Sequence, residues 1–346
     1  MRGCAAITVF LATLIGATAS HAETLNLLIW EAYIDQALVD RWTEKTGVTV
    51  HQINFDSDDA RDDILAAGGS NVDVVIVDEN GAELFGNKGV LEPLSPGNLP
   101  VLNDYAPAWA DRCAGYGLPY FSGTVGILYR SDVVKEPPTS WRDLMSPAQG
   151  LRKHISMFSD HDELFVPPLM LLGASINVND TETLRAAFGI LKAQAPFVLT
   201  YNYVITAIQD SAISKEIHMA LGYSGDQHVL NEKVGKPSLW RYSVPEEGTL
   251  SWLDCVSIIA ASPQKKRALE FLSFIGSPEG AAANALSMTM PTTSTQALKL
   301  LPHEVRSNPE IYPPAEVLAR SQYLEQLSIE SVQARRRIIS TLANFQ

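Results

Sequence analysis

The apolar positions of this chain switch repeatedly between a strand-like and a helix-like spacing. Residues 25–30 form a short apolar run, after which Ile34, Leu38 and Trp42 recur every four positions and Gly47 stands where a helix C-cap belongs. A strand and then a helix are expected. Residues 48–55 predict the next strand, Asp58 or Asp59 can cap a helix ending at Gly68-Gly69, and residues 72–77 predict a buried parallel strand. Such alternation predicts an α/β sheet. Residues 117–129 then read as one long extended crossing, and Pro137-Pro138-Thr139-Ser140-Trp141 opens a new helix, so a lobe boundary is expected there. The alternation resumes with a strand over 155–158, a helix through Leu171 and another over 181–193 behind a threonine cap. A second extended segment spans 250–260, helices are expected over 263–275 and 324–342, and the last carries the basic cluster Arg335-Arg336-Arg337. Two α/β lobes joined by crossing strands, with a cleft between them, fit this order.

Length and charge narrow the picture. At 346 residues, 46% hydrophobic and 19% charged, the chain is ordinary globular material, and a single core stops growing near roughly 250 to 300 residues. The net charge of −13 argues against nucleic acid, whose phosphates need clustered Lys and Arg, and favours cationic partners. Arg2 followed by the apolar run 5–16 has the shape of a secretory signal too short to span a bilayer, and Ala19-Ser20-His21-Ala22 predicts cleavage after Ala22. The expected product is soluble and periplasmic, with 25 basic against 39 acidic residues, or −14. Cys4 precedes the apolar run, so it is not placed as a lipid acceptor. The two remaining cysteines, Cys113 and Cys255, would be free to form a bridge in an oxidising compartment, or could be two separate buried thiols.

Catalytic patterns fail on inspection. Gly222-Tyr223-Ser224-Gly225-Asp226 lacks the glycine that a nucleophile elbow needs two places after the serine, and the run 56–61 places Ala60 and Arg61 where a calcium loop needs a ligand and a glycine. There is no phosphate loop, dinucleotide fingerprint or zinc-type His pair, so neither cofactor nor metal is expected. His161-Asp162-Glu163 reads as surface charge; a secreted hydrolase using His161 and a carboxylate is the rival reading. What recurs is an aromatic beside a carboxylate: Trp30 and Tyr33 with Glu31, Asp78-Glu79, Asp160 with Glu163, Tyr223 with Asp226, and Trp252 with Asp254. These fall at or beyond predicted strand ends, which face the ligand crevice in open α/β sheets. Carboxylates take charge-assisted hydrogen bonds from ammonium groups while aromatic faces cover methylenes and attract cations, and a linear polyamine offers both surfaces. Singly, Glu31 could be a helix-start charge, Asp78 a cap and Trp30 plain core.

On these residues the chain resembles the periplasmic spermidine/putrescine-binding proteins of ABC transporters, over nearly all of its length after residue 22. Leu28-Ile29-Trp30-Glu31-Ala32-Tyr33 is similar to their strand-end aromatic motif, Val72-Asp73-Val74-Val75 to their third strand and Leu118-Pro119-Tyr120 to their crossing. Asp160-His161-Asp162-Glu163, Val244-Pro245-Glu246-Glu247-Gly248 and Trp252-Leu253-Asp254 are similar to their Asp-x-x-Glu, Pro-x-Glu-Gly and Trp-x-Asp segments. The resemblance implies an α/β two-lobed periplasmic binding protein fold of type II with two hinge crossings. Residues 23–123 with 256–290 would form the first lobe, and 124–255 with 291–346, including the C-terminal helix, the second. It also implies that Trp252 and Asp254 hold an amine and a methylene stretch and that Trp30 and Tyr33 stack from the first lobe. Asp160 and Glu163 would receive the far amine, and Tyr223 would replace the family's tryptophan.

Several positions depart from the transporters. Asp78 and Asn80 stand for their usual Ser and Tyr, Met290 for a Tyr, Leu324 near a Gln, and Glu31 for a small hydroxyl residue, which implies a more acidic and differently shaped site. The resemblance places Cys113 and Cys255 close to the crossings, and a bridge is expected. The stretches 55–61, 199–204, 218–226, Trp252-Leu253-Asp254-Cys255 and 337–340 are similar to a norspermidine-sensor branch of the same family. That branch implies a monomeric, non-enzymatic sensor. Its partner would be the periplasmic domain of a membrane diguanylate cyclase or phosphodiesterase that controls biofilm formation through cyclic-di-GMP. Uptake through an ABC permease is the alternative.

Overall fold

The computed structural model describes residues 23–345 apart from Ala32, Asp56 and Ser57. The expected signal segment and its cleavage after Ala22 lie outside the described residues. The chain opens with β1 (Thr24–Trp30), α1 (Gln36–Thr46), β2 (Thr49–Phe55), α2 (Asp58–Ala66), β3 (Val74–Asp78) and α3 (Glu79–Asn87). Alternation along β1 is what sorts its side chains: Leu25, Leu27 and Ile29 enter the core on one face, and Leu28 enters the core on the other. The helix expected after it is α1, with Asp35 accepting from the Ala37 N–H at 3.1 Å and Gly47 closing it at φ 73°.

The remaining strands are β4 (Leu118–Arg130), β5 (Ile155–Ser156), β6 (Val198–Thr200), β7 (Met219–Tyr223), β8 (Trp240–Ser243) and β9 (Ser251–Ile258). They form one continuous path, β2-β1-β3-β9-β4-β7-β5-β6, with β8 added beside β4. β1 runs parallel to β2 and β3, and β5 runs parallel to β6 and β7. The two long segments expected as crossings are β4 and β9, and they are antiparallel to each other and to their neighbours. The first part of β4 pairs with β9 and the second part with β7 and β8, so one strand serves both lobes. Each lobe fills both faces of its sheet: beyond Thr124, Val125, Ile127 and Tyr129 enter one core and Leu128 the other.

Some local expectations shift. The helix Thr181–Gln194 is capped by Asp180, which accepts from the Thr183 N–H at 2.8 Å, rather than by a threonine. The strand over 155–158 shortens to the two residues of β5, and the C-terminal helix starts at Ile329 because 324–328 is non-helical. Beyond residue 290 the chain packs back on the first lobe: Ala297 and Leu301 lie in the core with Leu25, Tyr105 and Phe271. Leu253 and Cys255 of β9 likewise join a first-lobe core, with Leu28 and Val77. Both segments were expected to sit in the second lobe; β9 buries its apolar face where its neighbours β3 and β4 provide one, and the segment beyond 290 is held by Thr293 and Thr295, which donate to the Tyr120 and Asp104 carbonyls at 2.9 and 2.8 Å.

Cys113 and Cys255 form a disulfide with Cα atoms 5.9 Å apart, closing 142 positions of chain. Gly117 makes the approach possible, since a Cβ there would stand 2.6 Å from that of Cys255 and 3.4 Å from that of Cys113. No helix among the described residues is long and apolar enough to cross a membrane.

Candidate ligand cleft at the crossing strands

One wall is built from the ends of the first-lobe strands. Antiparallel register sets Asp254 of β9 opposite Asp78 of β3. The Tyr33 hydroxyl donates to Asp254 Oδ2 at 2.6 Å, and its ring packs edge-on against Tyr120 and Phe121. Tyr120 in turn donates to the Tyr33 carbonyl at 2.8 Å and accepts from Asn284 Nδ2 at 2.7 Å, so Tyr33 is held by a chain of bonds reaching into the core. Burial pushes the Asp254 carboxyl up to about 8; the Tyr33 bond opposes this and the neighbouring charge of Asp78 adds to it. Burial, reinforced by Asp254, also pushes the Tyr33 phenol well above its usual range.

Trp30, half-buried at the end of β1, packs on Phe55 with ring centres 4.3 Å apart. Asp78 is engaged twice: Oδ1 accepts the Gly81 N–H at 2.7 Å, capping α3, and Oδ2 pairs with Arg61 at 2.9 Å. Next to it, Glu79 accepts the Leu253 N–H at 3.0 Å and is pushed up to about 7 by burial. Glu31 is exposed.

The second wall comes from the loop after β5 and the end of β7. Asp160 Oδ1 accepts the N–H groups of Asp162 and Glu163, each at 2.9 Å, which folds the loop into a turn and turns Glu163 toward Tyr223. The Tyr223 hydroxyl donates to Glu163 Oε1 at 2.7 Å. Burial first, then the charge of Asp160, pushes the Glu163 carboxyl well above the usual carboxylate range. Asp226 braces this wall from behind, accepting the Tyr203 hydroxyl at 2.6 Å and the Tyr223 N–H at 2.8 Å, with its carboxyl raised to about 6 by burial.

Trp252 of β9 stands between the walls. Its ring centre lies 6.5 Å from that of Tyr223, nearly perpendicular, and its buried Nε1 has no hydrogen-bond partner among the described residues. Gly123 on the facing strand admits it, because a Cβ there would be 2.2 Å from the indole. Met290 reaches the turn after β7, its Sδ 2.9 Å from where a Cβ on Gly225 would stand.

The sequence-predicted residues therefore gather in two groups. Tyr33 with Asp254, and Glu163 with Tyr223, are hydrogen-bonded pairs on opposite walls, and Trp252 touches Tyr223 between them. Asp160 acts on Glu163 through the loop backbone, and Asp78 has the capping role weighed for it. Sequence reasoning passed over Arg61, Tyr120 and Tyr203 as site residues, whereas Glu79 was named with Asp78 among the strand-end carboxylates; a single arginine inside the acidic run 58–63 was the visible signal for Arg61. His161 pairs with its neighbour Asp162 at 3.7 Å, while Ser224 Oγ accepts the Thr124 N–H at 3.1 Å. Chemically, the arrangement offers buried acids at two ends and aromatic faces between them, which suits separated cations on an apolar stem.

The model of a bacterial extracellular solute-binding protein family matches residues 37–313. The norspermidine sensor of Vibrio cholerae is 34% identical over 93% of this chain and 89% of that protein. Spermidine/putrescine-binding periplasmic protein 1 of Haemophilus influenzae is 27% identical over 89% of this chain and 85% of its own. Among solved structures, the spermidine/putrescine ABC transporter substrate-binding protein of Streptococcus pneumoniae superposes with a TM-score of 0.82 at 25% identity, covering 93% of this chain and 99% of that one.

Proposed function

The chain belongs to the bacterial extracellular solute-binding protein family, and we propose that it is a periplasmic receptor for a linear polyamine, whose ligand-bound form is read by a membrane partner. The observation that carries the reading is the pair of acids across Trp252. Asp254 and Glu163 are each met by one phenol hydroxyl and are driven by burial toward the protonated form. A buried carboxylate is stable when an ammonium group replaces the proton. A diamine or triamine could do this at both ends, its methylenes lying on Trp252 and Tyr223 with Trp30 and Tyr33 closing the first-lobe side. Such a ligand touches both lobes, so it binds the closed form better and shifts the population toward it.

Sensing is preferred to uptake because the norspermidine sensor is the more similar relative, at 34% against 27% for the Haemophilus binding protein. In that reading the partner is the periplasmic domain of a membrane cyclic-di-GMP enzyme; an ABC permease is the second reading. The protein would bind and release its ligand unchanged.

A thermal-shift panel of diamines and triamines tests the ligand class. An amine at 100 times its dissociation constant should add about 2.7 kcal/mol of stability, and no shift with any amine would end the proposal. Co-purification with a cyclase or phosphodiesterase domain, set against a permease, then separates sensing from uptake.

A further inference from the structure

Arg61 is a fully desolvated cation inside an acidic wall. Its side chain, on α2, is only 2% exposed. Nη1 pairs with Asp58 at 2.6 Å, and Nη2 pairs with Asp62 at 2.8 Å and with Asp78 at 2.9 Å. Its guanidinium carbon lies 5.8 Å from the centre of the Phe55 ring, whose other neighbour is Trp30. Burial disfavours the charged form of this group, but Asp78, Asp58 and Asp62 together outweigh burial and push the guanidinium above its ordinary range. The three acids differ in exposure: the side chains of Asp58 and Asp62 are 61% and 39% exposed and Asp78 is 33% exposed. Asp78 is also the one that stands opposite Asp254 in the sheet.

We propose that Arg61 is a specificity determinant: a built-in cation that cancels Asp78, leaving Asp254 as the acid of this wall that receives a ligand ammonium. The proposal rests on the polyamine reading of the cleft. Without the guanidinium, Asp78 and Asp254 would be neighbouring carboxylates with no cation between them, Asp58 and Asp62 would lose the same partner, and the wall would favour ligands carrying more positive charge. With it, the wall is matched to one ammonium group. Added charge on the ligand then gains little there, because Asp78 already has its cation at salt-bridge distance and its second oxygen capping α3.

The test is calorimetry of wild type, Arg61→Met, Arg61→Lys and the double variant Arg61→Met/Asp78→Asn with 1,4-diaminobutane, spermidine and spermine. Arg61→Met should raise the spermine-to-diaminobutane affinity ratio at least about tenfold. Arg61→Lys, which keeps the charge, and the double variant, which removes both members of the pair, should leave that ratio within about threefold of wild type. A folded Arg61→Met with an unchanged ratio overturns the proposal, as does a double variant that retains the shift. Where Arg61→Met does not fold, Asp78→Asn alone, which leaves the guanidinium in place and removes the acid it cancels, should lower the ratio at least about threefold, and an unchanged ratio in that variant overturns the proposal. Wild type that binds none of the three amines would defeat the ligand reading itself, a result distinct from unchanged selectivity.

Discussion

On the first-lobe wall, Asp78 meets the buried guanidinium of Arg61; on the second-lobe wall, Glu163 meets a phenol and lies near Asp160 and Asp162. The second lobe also buries an arginine, but Arg335 donates to the backbone carbonyls of His161, Ile176 and Val178, so it fixes the loop rather than pairing with an acid. Burial is therefore met by an ion pair at Asp78 but by a phenol hydroxyl and a pull toward protonation at Glu163, and Asp254 beside Asp78 shares the second solution. The first-lobe wall thus holds both solutions and the second-lobe wall one. In the proposed reading, an ammonium group replaces the second.

The lobes also differ in covalent support, and this gives the largest expected effect. The disulfide ties β9 to the first lobe, and loop entropy assigns such a bridge about 5 kcal/mol, an upper-end figure. Replacing Cys113 and Cys255 by serine should lower the melting temperature and raise hydrogen exchange in β3 and β9 more than in β5 and β7. Equal loss in both lobes would remove the distinction.

Asp254→Asn should act next most strongly, because it keeps the shape of the acid but not its charge. Affinity for the tightest amine should fall about tenfold to a hundredfold by calorimetry, as expected for a lost charge-assisted bond of roughly 1.5 to 3 kcal/mol. The ligand-free protein should respond in the opposite sense. Its Asp254 titrates near about 8 instead of the ordinary 3.8, so the group's contribution to stability is whole below about 4 and is lost as pH rises through about 8. Above pH 8 the ligand-free asparagine variant should therefore melt higher than wild type. Wild-type affinity should climb between pH 5 and 8, by at most about tenfold per pH unit for each proton released. A flat profile would mean that Asp254 is already ionised in the open cleft.

The smallest effect is the control. Glu182 is exposed on the first turn of the helix Thr181–Gln194, away from both walls, and Glu182→Gln should change amine affinity by less than about threefold. A larger loss would show that long-range charge, rather than the two walls, governs binding.

Much of the scaffold was legible because it is local. β1 and the glycine-capped α1 follow from spacing within a dozen residues, and the long extended runs 117–129 and 250–260 announced β4 and β9. The pairings that make the site are not local: Tyr33 meets Asp254 across 221 positions and Glu163 meets Tyr223 across 60. An aromatic beside a carboxylate at predicted strand ends named those residues and the family resemblance gave them ligand roles, but neither paired Tyr33 with Asp254 or Glu163 with Tyr223. Arg61 escaped notice for a physical reason, since an arginine among aspartates on a helix ordinarily reads as a solvated face. Only the fold reveals that it points inward to Asp78.

The pairing of β4 with β9 also has a mechanical consequence. The two crossings pair at Leu118↔Val256 and Pro119↔Cys255 and, past an irregularity at 120–121, from Ser122↔Leu253 to Thr124↔Ser251, so they behave as a ribbon rather than as two independent threads. A ribbon flexes readily across its face but resists shear in its plane, because sliding one strand past the other breaks the ladder. Relative movement of the lobes is thereby reduced toward a single rotational degree of freedom. A membrane partner of the proposed kind would then need to measure only one angle.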